Sequence, residues 1–318
     1  TGGGAGDEED ANVDEAPIVQ EDLPTEAPIV QEDLPTEAHK AVFYNDFIGL
    51  EALKNSGEDM SIPNDSGKTP AHIAVIKGHP ECLKTIVTTT TLSNKNIGII
   101  LSMWKTTQLP SSVVSLFREI IEKIVQMEKK NKEGIMFLNI VDKIGRTPAH
   151  YAAEYKQEDC LKVLINEKAD LDVGDIAGNT PAHIAASNGW VDGIKLLRDA
   201  NVDLVNAYNN DGVTLAHMAA GNDHVNCLEF LHEIDMRLDT VNTWGDTPAH
   251  TAADNDKVLS LQFLFMTYPN SFLIRNLEDY YPIGLVEINE IDDEEFVIFE
   301  QLEHDVEQLE HEQQQNNM

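Results

Sequence analysis

Thr147-Pro148-Ala149-His150 opens a stretch that this chain repeats. TPAH stands at 69–72, 147–150, 180–183 and 247–250, and the variant TLAH stands at 214–217. From Thr147 onward the motif threonines follow one another at 33, 34 and 33 residues. A fixed period of this length signals a repeat architecture, in which one helix-pair unit stacks on the next and neighbours bury a shared core.

The motif has a local physical meaning. Thr69, Thr147, Thr180, Thr214 and Thr247 stand where a helix N-cap is needed, and a threonine hydroxyl can satisfy one of the free amides of the first turn. Pro70, Pro148, Pro181 and Pro248 follow at the first helical position, where the missing N–H of proline costs nothing. Leu215 takes that place in the variant. Alanine pairs come next, as at 152–153, 185–186, 219–220 and 252–253, and allow close approach of neighbouring helices. Gly78 and Gly189 then suit a left-handed helix end. Lys156, Asp223 and Asp256 replace that glycine. A second helix follows in each unit, reading CLKTIV (82–87), CLKVLI (160–165), GIKLLR (193–198), CLEFLH (227–232) and SLQFLF (260–265), apolar at helical spacing. A glycine precedes each motif threonine by two residues, at 67, 145, 178, 212 and 245.

These features resemble the ankyrin-repeat family, whose signature is T-P-L-H-x-A at a 33-residue period. Alanine replaces the family's leucine in every copy here. The resemblance covers residues 39–290. It implies an all-α solenoid of helix-turn-helix units with β-hairpin-like tips projecting sideways, in about seven units including degenerate caps. It also implies that His72, His150, His183, His217 and His250 hydrogen-bond within and between the tips.

The ends and one interruption depart from the period. Thr69 and Thr147 lie 78 residues apart, one repeat plus about 45. The irregular stretch, 88–140, holds two candidate helices, at about 96–105 and at 111–130. It reads first as a degenerate repeat with a long outer helix, and a protruding helical insertion is the rival reading. Residues 40–62 read as a helix pair without TPAH, an N-terminal cap. Tyr281-Pro282, 34 residues after Thr247-Pro248, marks a divergent last repeat over 269–290. Residues 1–38 carry EAPIVQEDLPT twice in tandem, at 15–25 and 26–36, and read as a disordered acidic tail. Residues 291–318 read as an acidic amphipathic helix and tail, with Phe299, Leu302, Val306 and Leu309 on one face.

The formal charge of −34 belongs mainly to the ends. Residues 1–38 hold 12 acidic groups and 278–318 hold 14, both without Lys or Arg, which leaves 30 acidic and 22 basic groups between. Nucleic acid is a poor partner for such a chain, because phosphate contacts need clustered Lys and Arg. A protein partner with a basic surface suits it better. No apolar run reaches membrane-spanning length. Three cysteines argue against a disulfide framework and for a cytoplasmic or nuclear protein.

Chemistry finds little support. Five of the eleven histidines belong to the motif, and His79 and His224 share another repeat position. Cys82, Cys160 and Cys227 each lie 13 residues after their threonine, in one buried slot that Gly193 and Ser260 fill elsewhere. His304 and His311, a heptad apart, suit a solvated helix face better than a metal site. No phosphate-binding glycine loop, dinucleotide motif, nucleophile elbow or zinc motif is present. The expectation is a non-enzymatic protein, without cofactor or metal, acting as a monomer.

A stacked repeat domain presents an extended concave surface of tips and first helices. Residues that vary between units at register positions expected to be exposed are the candidates for partner contact. They are Ile144, Arg146, Tyr151, Tyr155, Ile176, Asn179, Trp190, Tyr208, Asn210, Trp244 and Asp246. Aromatic and arginine side chains anchor many interfaces. The expected function is therefore protein binding through the concave face. Two alternatives stay open: a secreted ankyrin effector of an intracellular bacterium or parasite acting on a host protein, suggested by only five arginines, and a fragment of a larger ankyrin-containing enzyme or channel.

Overall fold

A computed structural model describes residues 34–87, 137–286 and 293–316. The tandem tail repeats, up to residue 33, and both candidate helices of the interruption lie outside the described residues.

Six helix pairs succeed one another. They are α1 (Glu37–Phe43) with α2 (Phe47–Asn55), α3 (Pro70–Ile76) with α4 (Pro80–Val87), and α5 (Pro148–Glu154) with α6 (Glu158–Asn166). Then come α7 (Pro181–Ser187) with α8 (Val191–Asp199), α9 (Leu215–Gly221) with α10 (Val225–Glu233), and α11 (Pro248–Asp254) with α12 (Val258–Thr267). Two short 3-10 turns follow, Pro269–Leu273 and Pro282–Leu285, and a long last helix, α13 (Asp293–Asn316). First helices pack in sequence, α1 on α3, α3 on α5, and so on to α11, and the second 3-10 turn takes the next first-helix place.

Helices of seven residues would not persist alone in water; they hold because both faces are packed. The alanines lie fully buried between neighbouring first helices, and Leu83, Leu161, Leu197, Leu228 and Leu261 of the second helices close the core. Each such leucine contributes about 1.5–3 kcal/mol by leaving water. The first helices begin alike: motif threonines in extended backbone, proline next in four of the six, and a left-handed residue after the last turn. That residue is glycine at 78 and 189, but Asn45, Lys156, Asp223 and Asp256 adopt the same conformation.

Two sequence expectations are corrected, and one junction between units is placed. The first helix pair does carry the motif, as Thr36-Glu37-Ala38-His39, with glutamate in the proline position. Thr36 caps α1 by accepting from the His39 amide at 3.2 Å, and Leu34 is already buried. The fold thus begins ahead of 39, inside the second copy of the tail motif. Next, α3 packs directly on α5, and α4 on α6. The units that begin at Thr69 and Thr147 are therefore stacking neighbours, and the irregular stretch that was read as a degenerate repeat or an insertion lies, over 88–136, outside the described residues. Finally, among the described residues the last unit has a tip and a single 3-10 turn, and α13 packs beside it, against α12 and the first 3-10 turn, with Phe299, Leu302 and Val306 buried.

Candidate protein-binding surface

A ladder of six histidines fixes the tips to the first helices. In each complete unit from 69 onward, the threonine amide donates to Nδ1 of the histidine three residues later, at 3.1 Å for Thr69 and His72 and at 3.0 Å for Thr147 and His150. An accepting Nδ1 leaves the ring proton on Nε2. That nitrogen donates across to the next tip: His39 to the Lys68 carbonyl, His72 to Arg146, His150 to Asn179, His183 to Val213, His217 to Asp246 and His250 to Tyr280, all at 2.8–3.1 Å. Burial holds the imidazoles of His72, His183 and His217 down to about 4, partly offset by the backbone acceptor.

The tips are tied to one another as well. One amide per junction donates to the previous tip: Lys143 to the Ser66 carbonyl, Ile176 to Ile144, Asn210 to Ala177, Thr243 to Asp211 and Leu277 to Trp244, at 2.9–3.3 Å. Within each tip an Asn or Asp side chain accepts from two amides, as Asp175 does from Ala177 and Asn179. Tip glycines are required by this closeness. At Gly178, with φ of 81°, a Cβ would come within 2.7 Å of the Asn210 amide nitrogen.

The predicted contact residues divide. Ile144, Tyr155, Ile176, Tyr208 and Asn210 are exposed, and Trp244 and Asp246 are half-buried. Ile144 and Ile176 are joined across adjacent tips, and the Asn210 side chain donates to the Ile176 carbonyl. Arg146, Tyr151, Asn179 and Trp190 are buried, which corrects their assignment to a free surface.

Each has a structural reason. The Arg146 guanidinium donates to Glu154 at 2.7 Å and lies 3.8 Å from Asp175. The Tyr151 hydroxyl donates to Asp142 at 2.5 Å, beneath that guanidinium and edge-on to His72. Asn179 accepts from the Asn209 side chain and, through its carbonyl, from His150. Trp190 folds over Gly193, filling the slot that Cys or Ser occupies in the other units. Sequence variation marked these positions as special, but a register position does not report depth.

Leu277 and Val241 were missed, although both stand exposed on the tip side. Continuing the tip register past Trp244 would have found Leu277, which sits where Ile176 and Thr243 sit in their tips.

The remaining candidate chemistry has repeat addresses. Burial pushes the thiols of Cys82, Cys160 and Cys227 up to about 11, 12 and 11, so each stays neutral. His224 donates to the Ser187 carbonyl of the preceding unit at 2.9 Å. Among the described residues no group of three or more His, Cys, Asp or Glu converges to hold a metal. Among them, too, no helix is long and apolar enough to cross a membrane.

Comparison with known proteins agrees with this geometry. A family model described as ankyrin repeats (3 copies) matches residues 112–207 and 199–272. A second, ankyrin repeats (many copies), matches 38–87. No curated protein matches the chain. Among solved structures, the human ASB11 ankyrin repeat domain is similar at a TM-score of 0.56 and 18% identity, over 83% of this chain and 97% of that one. The ankyrin repeat domain of Bcl-3, a unique member of the IkappaB protein family, is similar at 0.57 and 17% identity, over 84% of this chain and 99% of that one. Such identities speak for the fold alone. With the family models spanning most of the histidine ladder and the tips it joins, the chain belongs to the ankyrin-repeat family.

Proposed function

We propose that this protein is a non-catalytic binding module that grips a protein partner along its row of tips and the adjoining concave face. The observation that carries this reading is the backbone-bonded row itself, which holds Ile144, Ile176, Tyr208 and Leu277 exposed on a rigid edge. Exposed apolar side chains on a preorganised scaffold bind with little ordering cost. Trp244 and Tyr155 extend the surface, and the buried Arg146, Tyr151 and Asn179 support it from beneath, whereas Trp190 packs in the second-helix slot.

A basic partner surface fits the chain's charge, since residues 278–318 carry 14 carboxylates and no Lys or Arg. Three free, buried thiols favour a reducing compartment, cytosol or nucleus. The chain is taken to act as a monomer.

The test replaces Ile176, Tyr208 and Leu277 together by serine. Partners are captured by affinity purification from the cell of origin and identified by mass spectrometry. Loss of the captured partner, at an unchanged melting temperature, supports the reading. Undiminished capture refutes it.

A further inference from the structure

The outer helices of the internal repeats show water a polar face. Twelve residues after the motif threonine stand Glu81, Asp159, Asp192 and Asn226; fifteen after it stand Lys84, Lys162, Lys195 and Glu229. Nineteen after it stand Asn166, Asp199 and Glu233. In α12 the same three places hold Leu259, Gln262 and Met266, on one face of the helix over about two turns. Leu259 is 44% exposed and Met266 is 79% exposed.

The last helix does not cover them. α13 spends Phe299, Leu302 and Val306 on the end of the stack. It leaves a shallow groove lined by Gln262 of α12 and by Val297, Gln301 and His304 of its own length. Val297 is 64% exposed. The groove therefore lies between two helices, with Val297 and Ile298 in its lining, and Leu259 and Met266 flank Gln262 on the same face of α12. Glu300 of α13 also lines it and is exposed, and the chain from 278 onward, which carries 14 carboxylates, offers no Lys or Arg to neutralise it.

We propose that this α12–α13 groove docks an amphipathic helix of a partner protein, one whose apolar seam is flanked by Lys and Arg. Two helices with an open apolar seam accept a third by the helix-in-groove mode. The charge of the rim selects the sign of the flanks. This surface lies on the outer helices and does not depend on the tip row.

The whole chain is titrated with a synthetic Leu/Lys peptide whose leucines recur at i, i+3, i+4 and i+7, followed by fluorescence anisotropy at physiological salt. A scrambled peptide of the same composition is the control. The patterned peptide should bind at least about tenfold tighter than the scrambled one, or ~1.4 kcal/mol. L259D/M266N installs the side chains of Asp159 and Asn166 and should abolish that preference without lowering the melting temperature. Serine at 176, 208 and 277 should leave it unchanged, which separates this groove from the tip row. Equal binding of both peptides, or an undiminished preference in L259D/M266N, overturns the proposal. So does a dimer in sedimentation that L259D/M266N converts to monomer, since a second copy would then fill the groove.

Discussion

His72 donates from Nε2 to the Arg146 carbonyl at 3.0 Å across 74 positions of sequence, whereas its counterpart His150 reaches Asn179 across 29. The same clasp closes whether or not 45 extra residues lie between its halves. Excising 88–132 leaves four residues, 133–136, to join α4 to Phe137, as 166–169 join the equivalent places in the next unit. Shortening that connection should raise stability by about 2 kcal/mol through loop-closure entropy. The urea midpoint should rise with an unchanged slope. A fall would mean that the insertion supplies contacts to the stack.

The histidine ladder sets an acid limit. From His72 onward each imidazole has an amide hydrogen donated to Nδ1, which favours the neutral ring, and burial puts its folded value below its unfolded one. The unfolded chain therefore binds more protons between about pH 6.5 and 4. Stability is fully present above that window, declines as pH falls through it, and levels off below. The three histidines held to about 4 should give a slope of up to about 4 kcal/mol per pH unit. Denaturation in urea across this range, for the chain and for His217→Gln, checks it; the variant's slope should be shallower.

Glutamate at the proline position of the first repeat leaves room for improvement. Thr36 has φ −117° and ψ 160°, an extended conformation that a following proline tolerates. Glu37→Pro should stabilise by about 0.5–1 kcal/mol through the unfolded state. The exposed Glu37–Lys40 ion pair that it removes is worth a few tenths at most. The gain should register as slower amide exchange in α1.

Leu302→Asp should detach α13. The leucine is 4% exposed against the end of the stack, and burying a carboxylate there is costly. Cleavage by a glutamate-specific protease should accelerate in the last helix, and the final repeat should lose about 2–4 kcal/mol. Unchanged cleavage would count against docking of the helix through this seam.

The legible part of this molecule was periodic. TPAH placed five of the six first helices and five of the six ladder histidines. Thr36 and His39 escaped because glutamate replaced proline, although the 33-residue spacing to Thr69 was there to be counted. What the sequence hid was depth. Tyr151 lies in α5 and Tyr155, four residues on, caps its end, yet one is fully buried and the other 39% exposed. The burial of Trp190 depends on Gly193, whose missing side chain makes the slot its ring fills. Neither fact follows from a residue's own type. The groove beside α12 was hidden differently, since it needs both the register of Leu259 and Met266 and the path of a helix thirty residues on.

Every histidine clasp joins a repeat to its immediate neighbour and to nothing further along. Tension applied along the chain therefore meets a series of similar catches instead of a single lock. Such a molecule yields one repeat at a time from an end, and an opened catch can close again on the neighbour still standing.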